Sequence, residues 1–243
     1  MFGRYTVTET EEKKILYKVE ESVINRFFSG RYFLSNLQIF LTLLAINVIL
    51  SWIFQEVIMT REVYHSLLSG RLENYRIDKQ IELINRFKIW GYLFLPVVLW
   101  LKFAIVSLLL QLPLMIKFIE IPFRKIFRVV MIASVSFLIM NSAYIIYLSA
   151  LPAAEITQGS LNMIPLSISS IINISSYPES AVKMLSSFNL FEMGWVLLIY
   201  CGFVVIAAEK LKKFDVLILV IGVWSFLLVF KYALLIYMDK IFG

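Results

Sequence analysis

Residues 32–58 read YFLSNLQIFLTLLAINVILSWIFQEVI, and this stretch decides the fold class of the chain. Its only charged residue is Glu56, close to its C-terminal end. A hydrocarbon core about 30 Å thick is crossed by roughly 20 residues of α-helix, because each residue advances 1.5 Å and every backbone polar group is bonded internally. The stretch therefore predicts a transmembrane helix.

Four more apolar stretches follow the first one, and we place them at residues 89–116, 127–151, 190–208 and 216–238. The composition agrees: 60% of the 243 residues are hydrophobic and only 16% are charged, with a mean hydropathy of +0.82. Soluble domains carry about 25% charged residues. No alternating pattern typical of a membrane barrel occurs. The sequence therefore predicts an all-α, polytopic integral membrane bundle with about five transmembrane helices.

Basic residues predict how this bundle is oriented, because Lys and Arg prefer the cytoplasmic side of a membrane. With five spans, three segments rich in basic residues share one side: Arg4, Lys13, Lys14, Lys18, Arg26 and Arg31; Lys117, Arg124, Lys125 and Arg128; and Lys210, Lys212 and Lys213. The loop 152–189 carries only Lys183. We therefore expect a cytoplasmic N-terminus. The loop 59–88, with Arg61, Arg71, Arg76, Lys79 and Arg86, argues against this orientation.

Residues 1–31 form a predicted cytoplasmic amphipathic arm. A capping box of Thr8 and Glu11 precedes an apolar face with a residue at every fourth position, Ile15, Val19, Val23 and Phe27. Such a helix lies in the membrane interface or packs under the bundle while leading into the first span. A docking site for a soluble partner is the alternative.

Two longer loops separate the spans. Residues 59–88 predict an extramembrane cap of two short helices hinged at Gly70, in which His65, the only histidine, has a surface or packing role. Residues 152–189, rich in serine and interrupted by prolines, predict a loop with one or two interfacial half-helices. The tripeptide Asn173-Ile174-Ser175 in that loop is formally a glycosylation pattern.

The third span carries small and polar residues, which allow helix backbones to approach closely and to hydrogen-bond across an interface. We expect it to be the central helix of the bundle, and a polar path through the bundle is the alternative. The predicted packing face consists of Ala133, Ser134, Ser136, Asn141, Ser142 and Ala143.

Reactive groups for membrane enzymes are missing from the sequence. No predicted span has an acid near its middle, and the chain holds one histidine and one cysteine, Cys201, in the fourth span. A glycine-rich phosphate loop and an HExxH pattern are also absent. We therefore expect no enzymatic activity, no catalytic or metal site and no cofactor, and an intrachain disulfide is excluded.

Two lysines interrupt the apolar spans: Lys102, within VVLWLKFAIV at 97–106, and Lys231 in the fifth span. Each lysine can snorkel to a membrane boundary or bond to backbone carbonyls or a lipid phosphate. Two other interpretations are a contact with an anionic ligand or lipid head group, and an ion pair with an acid of a partner subunit. The last follows from the expectation that the chain itself offers no acid at matching depth.

Two segments carry a resemblance to a known family. They are IPFRKIFRVVMIASVSFLIM at 121–140 and NLFEMGWVLLIYCGFVVIAAEKLKKFDVLILVIGVWSFLL at 189–228. Over residues 122–235 the chain resembles the Ypt-interacting-protein (Yip) family, with a basic, aromatic approach to the middle helix and a last hairpin whose first helix begins with an asparagine. The resemblance implies five spans, a cytoplasmic N-terminus and no enzymatic activity. Eukaryotic members act in vesicle traffic with Rab-type GTPases, and this chain resembles the bacterial type, which implies a bacterial inner membrane.

Two functions remain open at this point. The first is a non-enzymatic scaffold or accessory subunit of a membrane complex, with the lipid bilayer and a membrane protein or a second copy of the chain as partners and no nucleic acid. The second is a carrier or channel subunit for an anionic or lipidic solute that uses Lys102 and Lys231. The second function requires both lysines to line one interior cavity.

Overall fold

The computed structural model describes residues 28, 34–70, 72–171, 179–207 and 210–242. Apart from Phe28, the predicted arm 1–31 and its partner-docking alternative lie outside the described residues, as does the pattern at Asn173. The α-helices are α1 (Asn36–Ile53), α2 (Arg61–Leu68), α3 (Asn74–Ile116), α4 (Phe123–Ala133), α5 (Val135–Ser149), α6 (Gln158–Asn162), α7 (Glu179–Ser187), α8 (Leu190–Ile206) and α9 (Lys213–Phe242). A π-helical turn, Phe54–Ile58, extends α1, and 3₁₀ turns cover Ala153–Glu155 and Ile168–Ser170.

Four helical segments in the described part of the chain are long and apolar enough to cross a membrane. They are Asn36–Ile58, Asn74–Ile116, Phe123–Ser149 and Lys213–Tyr237. The all-helical bundle is therefore confirmed for the described residues. The fifth apolar segment, α8, has 17 residues, or about 25 Å of helix, which is shorter than an average hydrocarbon core.

The second span differs from its prediction because its helix begins much earlier. Helix α3 is 43 residues long and passes both Pro96 and Pro113. The predicted first cap helix exists as α2, which ends just before the turn at Gly70. The predicted second cap helix is not separate, because no stop signal divides it from the apolar stretch that follows. Helix α3 is about 64 Å long, so its first turns lie beyond its apolar part.

The third span runs from Phe123 to Ser149, so it begins four residues before its predicted start, and it is interrupted once. Ser134 separates α4 from α5. Its hydroxyl donates to the carbonyl of Val130 at 2.8 Å, and its backbone has a ψ of −11°. Serine hydroxyls that bond back to their own helix favour bends of this kind.

Helix α4 lies at the centre of the bundle, as the sequence predicts for the third span. Residues 129–133 of α4 are all buried. Helix α8 crosses α4 at Gly202, where an added Cβ atom would lie only 2.5 Å from Cγ1 of Val129. A glycine is needed there because the two helix backbones approach so closely.

Polar contacts mark one end of the bundle, and an apolar cluster marks the other. At one end, which we call the basic end, Arg128 donates to the Leu34 carbonyl at 3.0 Å and Lys210 donates to the Glu120 carbonyl at 2.5 Å. Lys210 therefore lies beside the turn that follows α3, and the start of α1 lies beside α4. At the opposite end, which we call the cap end, Val63 of α2 packs with Ile58, Leu148 and Ile156.

The cap is held to α3 by Asp78, whose carboxylate meets two side chains of α2. Asp78 Oδ1 accepts from Arg61 Nη2 at 2.8 Å and lies 2.9 Å from His65 Nε2. The hydrogen bond with His65, followed by that with Arg61, holds the pKa of Asp78 below its ordinary value. Lys88 and Glu56 form a further ion pair below the cap. His65 thus has the packing role that the sequence predicts.

Candidate anion-binding cavity

A cavity of about 640 Å³ lies between α3, α5, α8 and α9, in the half of the bundle nearer the cap end. Apolar and aromatic side chains form most of its wall, and three charged side chains open onto it. Its lining residues include Val98, Lys102, Ile105, Phe137, Asn141, Glu192, Trp195, Trp224, Phe230 and Lys231. Concave, mostly apolar sites with a few convergent polar groups are typical ligand sites.

Lys102 projects from α3 into this cavity. It shares a helix face with Val98, Leu101, Ile105 and Val106, which also line the wall, because residues three, four, seven and eight apart lie on one side of a helix. Its Nζ lies 4.6 Å from the ring centroid of Phe137, a cation–π contact. Within the described part of the chain, the Lys102 ammonium donates no hydrogen bond.

Lys231 enters the cavity from α9 on the opposite side. Its Nζ donates to Oγ of Ser187 at 2.7 Å and lies 3.9 Å from Oε1 of Glu192. Its side chain is 52% exposed, whereas that of Glu192 is only 15% exposed. Lys231 therefore donates a hydrogen bond to the protein, whereas Lys102 contacts the Phe137 ring.

Glu192 is placed by the start of α8. The Asn189 side chain caps this helix by accepting from the Glu192 N–H at 2.8 Å. Trp224 Nε1 donates to Glu192 Oε2 at 3.3 Å. The position in the first turn favours a negative charge, because the N-terminus of a helix carries partial positive charge.

A chain of buried serine hydroxyls ties Ser186, the neighbour of Ser187, to residues 162–169. Ser167 and Ser169 Oγ lie 2.7 Å apart, Ser169 and Ser186 Oγ lie 2.7 Å apart, and Ser186 donates to the Asn162 carbonyl at 2.8 Å. Backbone bonds fasten the same segment to the start of α8, since Ile168 N donates to the Phe188 carbonyl at 3.0 Å. Buried polar groups in a membrane-facing bundle need such partners.

The predicted packing face of the third span divides between two roles. Ala133, Ser134 and Ser136 are buried, and Ser136 Oγ donates across the helix interface to the Phe191 carbonyl at 2.6 Å. Asn141 lines the cavity instead. Ser142 donates to Leu138 of its own helix at 2.9 Å, and Ala143 is half-buried.

The expectation that the chain supplies no acid near its intramembrane lysines is wrong. Glu192 lies close to the end of its helix in sequence, but α8 is short, and residues 166–168 bond to the chain at its start. A spacing signal was present, since Glu192 recurs at three and four residues with the buried Trp195, Ile199 and Phe203. Glu192 therefore shares the buried face of α8.

No family model matches the chain, and neither a curated protein nor a solved structure matches it. The Yip resemblance thus stays a prediction. What the cavity can do follows from its own groups: two ammonium groups and one carboxylate give it a net charge of +1 when all are ionised. Such a cavity attracts anions, and its apolar wall accepts hydrocarbon.

Proposed function

We propose that the protein is a non-enzymatic, five-span integral membrane protein that binds an anionic or lipidic solute in the cavity and acts as a carrier or channel subunit for it. The observation that supports this proposal is the position of Lys102 and Lys231 on one cavity. An interior lysine whose three donors find no acceptor among the described residues is costly in an apolar surrounding, and a bound anion would supply that acceptor.

Charge favours an anion over a cation as the solute. Glu192 is the only acid on the cavity wall within the described residues, and its carboxylate already receives Trp224 and faces Lys231. One carboxylate thus faces two ammonium groups, and the wall carries one more positive charge than negative when all three are ionised. In a low-dielectric site this excess charge acts over several ångströms.

The orientation that we propose places the N-terminus in the cytoplasm, in a bacterial inner membrane, with the cavity opening toward the outer side. Lys117, Lys125 and Lys210 gather at the basic end and support it. The conflicting positive charge of Arg61 is paired with Asp78 at the cap.

The scaffold or accessory-subunit function stays a prediction, as does a membrane protein partner or a second copy of the chain. One argument for a partner is a lysine that requires the acid of another protein. Glu192 supplies an acid within the chain, so the solute-binding function has the stronger support.

The test is purification of the tagged protein from its native membrane in mild detergent, followed by mass spectrometry of whatever remains bound. We expect a stoichiometric anionic compound on the wild-type protein and its loss from Lys102→Met and Lys231→Met. Lys125→Met, an exposed lysine outside the cavities, should retain it. A stoichiometric partner protein without any bound anion would overturn the proposal and favour the accessory subunit.

A further inference from the structure

A second chamber of about 350 Å³ adjoins the cavity. The two spaces share part of their wall, which consists of Met140, Asn141, Ile164 and Lys231. Other residues line the second chamber alone, among them Tyr144, Leu161, Lys183 and Leu235. Because the same side chains bound both spaces, the second chamber is a continuation of the cavity.

Two helices give the direction of this continuation. Helix α5 lines the cavity at Phe137 and the second chamber at Tyr144, which lies about 10 Å further along the helix. Helix α9 lines the cavity at Leu227 and the second chamber at Leu235, about 12 Å further on. Both helices run toward the cap end, so the second chamber lies on the cap side of the cavity.

Lysines are distributed along both spaces. Lys102 lines only the cavity, Lys231 lines both spaces, and Lys183 lines only the second chamber. Ser187 Oγ, which accepts from Lys231, donates to the carbonyl of Lys183 one turn earlier on α7, at 3.3 Å. Lys183 has further interactions with the protein. An ammonium group has three N–H donors, so a lysine with a protein contact can also bind an anion.

The second chamber adds positive charge to the wall but no acid from the described residues. Glu192 is the only acid that lines either space within that part of the chain. Three ammonium groups therefore share their surroundings with one carboxylate. The rest of the shared wall is mostly apolar, and Lys102 and Lys183 lie at its opposite ends.

We propose that the solute is an organic dianion with an apolar middle, such as a dicarboxylate. One carboxylate binds in the cavity beside Lys102 and Lys231, and the other binds in the second chamber beside Lys183. This inference rests on the proposed function and narrows the solute to the dianionic class. A solute with a single anionic group would reach the lysines at only one end, whereas a dianion forms charge-assisted hydrogen bonds at both ends.

The experiment measures binding of radiolabelled suberate, a dicarboxylate, and of octanoate, the monocarboxylate of the same chain length, to the protein in phosphatidylcholine nanodiscs. We expect the wild type to bind suberate more tightly than octanoate. Lys183→Met should weaken suberate binding by about tenfold, as expected for the loss of one hydrogen bond to a charged group. It should leave octanoate binding unchanged, which also shows that the cavity is intact. Lys102→Met should weaken the binding of both ligands.

Two further variants serve as controls. Lys183→Arg keeps the positive charge and should retain tight binding of suberate. Lys125→Met removes an exposed lysine that lines neither space and should bind both ligands like the wild type.

The outcomes separate the two proposals. If Lys183→Met binds suberate like the wild type, or loses octanoate as strongly as suberate, the second carboxylate has no site at Lys183 and the dianion inference is overturned. A loss of both ligands from Lys102→Met would still support anion binding in that case. If Lys102→Met weakens neither ligand, the proposed function itself fails. Equal affinity of the wild type for the two ligands would likewise overturn the dianion inference.

Discussion

The carboxylate of Glu192 lies 3.9 Å from the Nζ of Lys231, although the two residues belong to different helices. This pair closes one side of the cavity and joins the first turn of α8 to the outer part of α9. The second lysine, Lys102, faces the pair from α3. Three helices thus contribute one charge each to a single apolar cavity.

Replacing Lys231 alone should lower the free energy of unfolding more than replacing both Lys231 and Glu192. Lys231→Met leaves the largely buried Glu192 without its cation, and we expect a loss of about 1 kcal/mol in the free energy of unfolding, since the lysine is half-exposed. Adding Glu192→Gln should recover most of that loss. Thermal unfolding in detergent of the wild type, both single variants and the double variant gives the coupling. Strict additivity would mean that the two groups do not interact.

Close packing at Gly202 predicts a large difference between two glycines. Gly202→Ala places a methyl group 2.5 Å from Val129 Cγ1, so α8 and α4 must separate, at a cost of about 1–3 kcal/mol. Gly222→Ala meets no atom within 4 Å and should gain up to about 1 kcal/mol from helix propensity. The measurement is the thermal unfolding midpoint of each variant. Equal effects of the two changes would contradict the crossing at Gly202.

Ser136 and Ser142 of α5 allow a hydrogen bond between two helices to be compared with one inside a helix. Ser136 donates to Phe191 of α8, whereas Ser142 donates to its own helix. Ser136→Ala should destabilise the bundle by about 1 kcal/mol, and Ser142→Ala should have little effect. Unfolding of the two variants by denaturant under identical conditions tests this difference, and a larger loss for Ser142→Ala would contradict it.

Docking of the cap should weaken in acid. The folded-state pKa of Asp78 is lowered, chiefly by the hydrogen bond with His65 and then by Arg61. Its contribution to stability is therefore fully present above the ordinary value of 3.8 and is lost as the pH falls through the lower folded value. Spin labels at the exposed Glu62 and Glu82 should report a broader separation of α2 from α3 at acid pH.

The control for this prediction is Asp78→Asn, which cannot titrate. Its label separation should be broader than that of the wild type at neutral pH and should change less on acidification. A wild-type separation that is the same at about pH 7 and about pH 3 would show that Asp78 does not hold the cap.

Much of the helical architecture could be predicted because hydropathy and length decide it. The ends of the stretches 36–58 and 213–237 lie within four residues of those predicted, since Ser35 caps the first and a polar turn precedes the second. The start of α3 could not be found in this way. Polar and apolar residues alternate with helical period through 74–88, and a helix continues when neither a cap nor a breaker interrupts it.

The cavity was only partly predictable. Lys102 and Lys231 stood out because a charge inside an apolar stretch is rare. Glu192 did not, because in the sequence it lies only two residues from the start of the predicted span 190–208. Its true surroundings depend on how the serine-rich loop packs over α8, and the hydroxyl contacts of Ser169 and Ser186 join residues far apart in the chain. Such contacts leave no periodic pattern in the sequence.

Helix α3 also has a mechanical consequence. The same continuous helix carries Asp78, which holds the cap, and Lys102, which lines the cavity. A rod of this length that tilts by a few degrees about its middle displaces its ends in opposite directions. Widening of the cavity on one side of the pivot would therefore shift the cap on the other side. Solute occupancy would thus become readable from outside the bilayer.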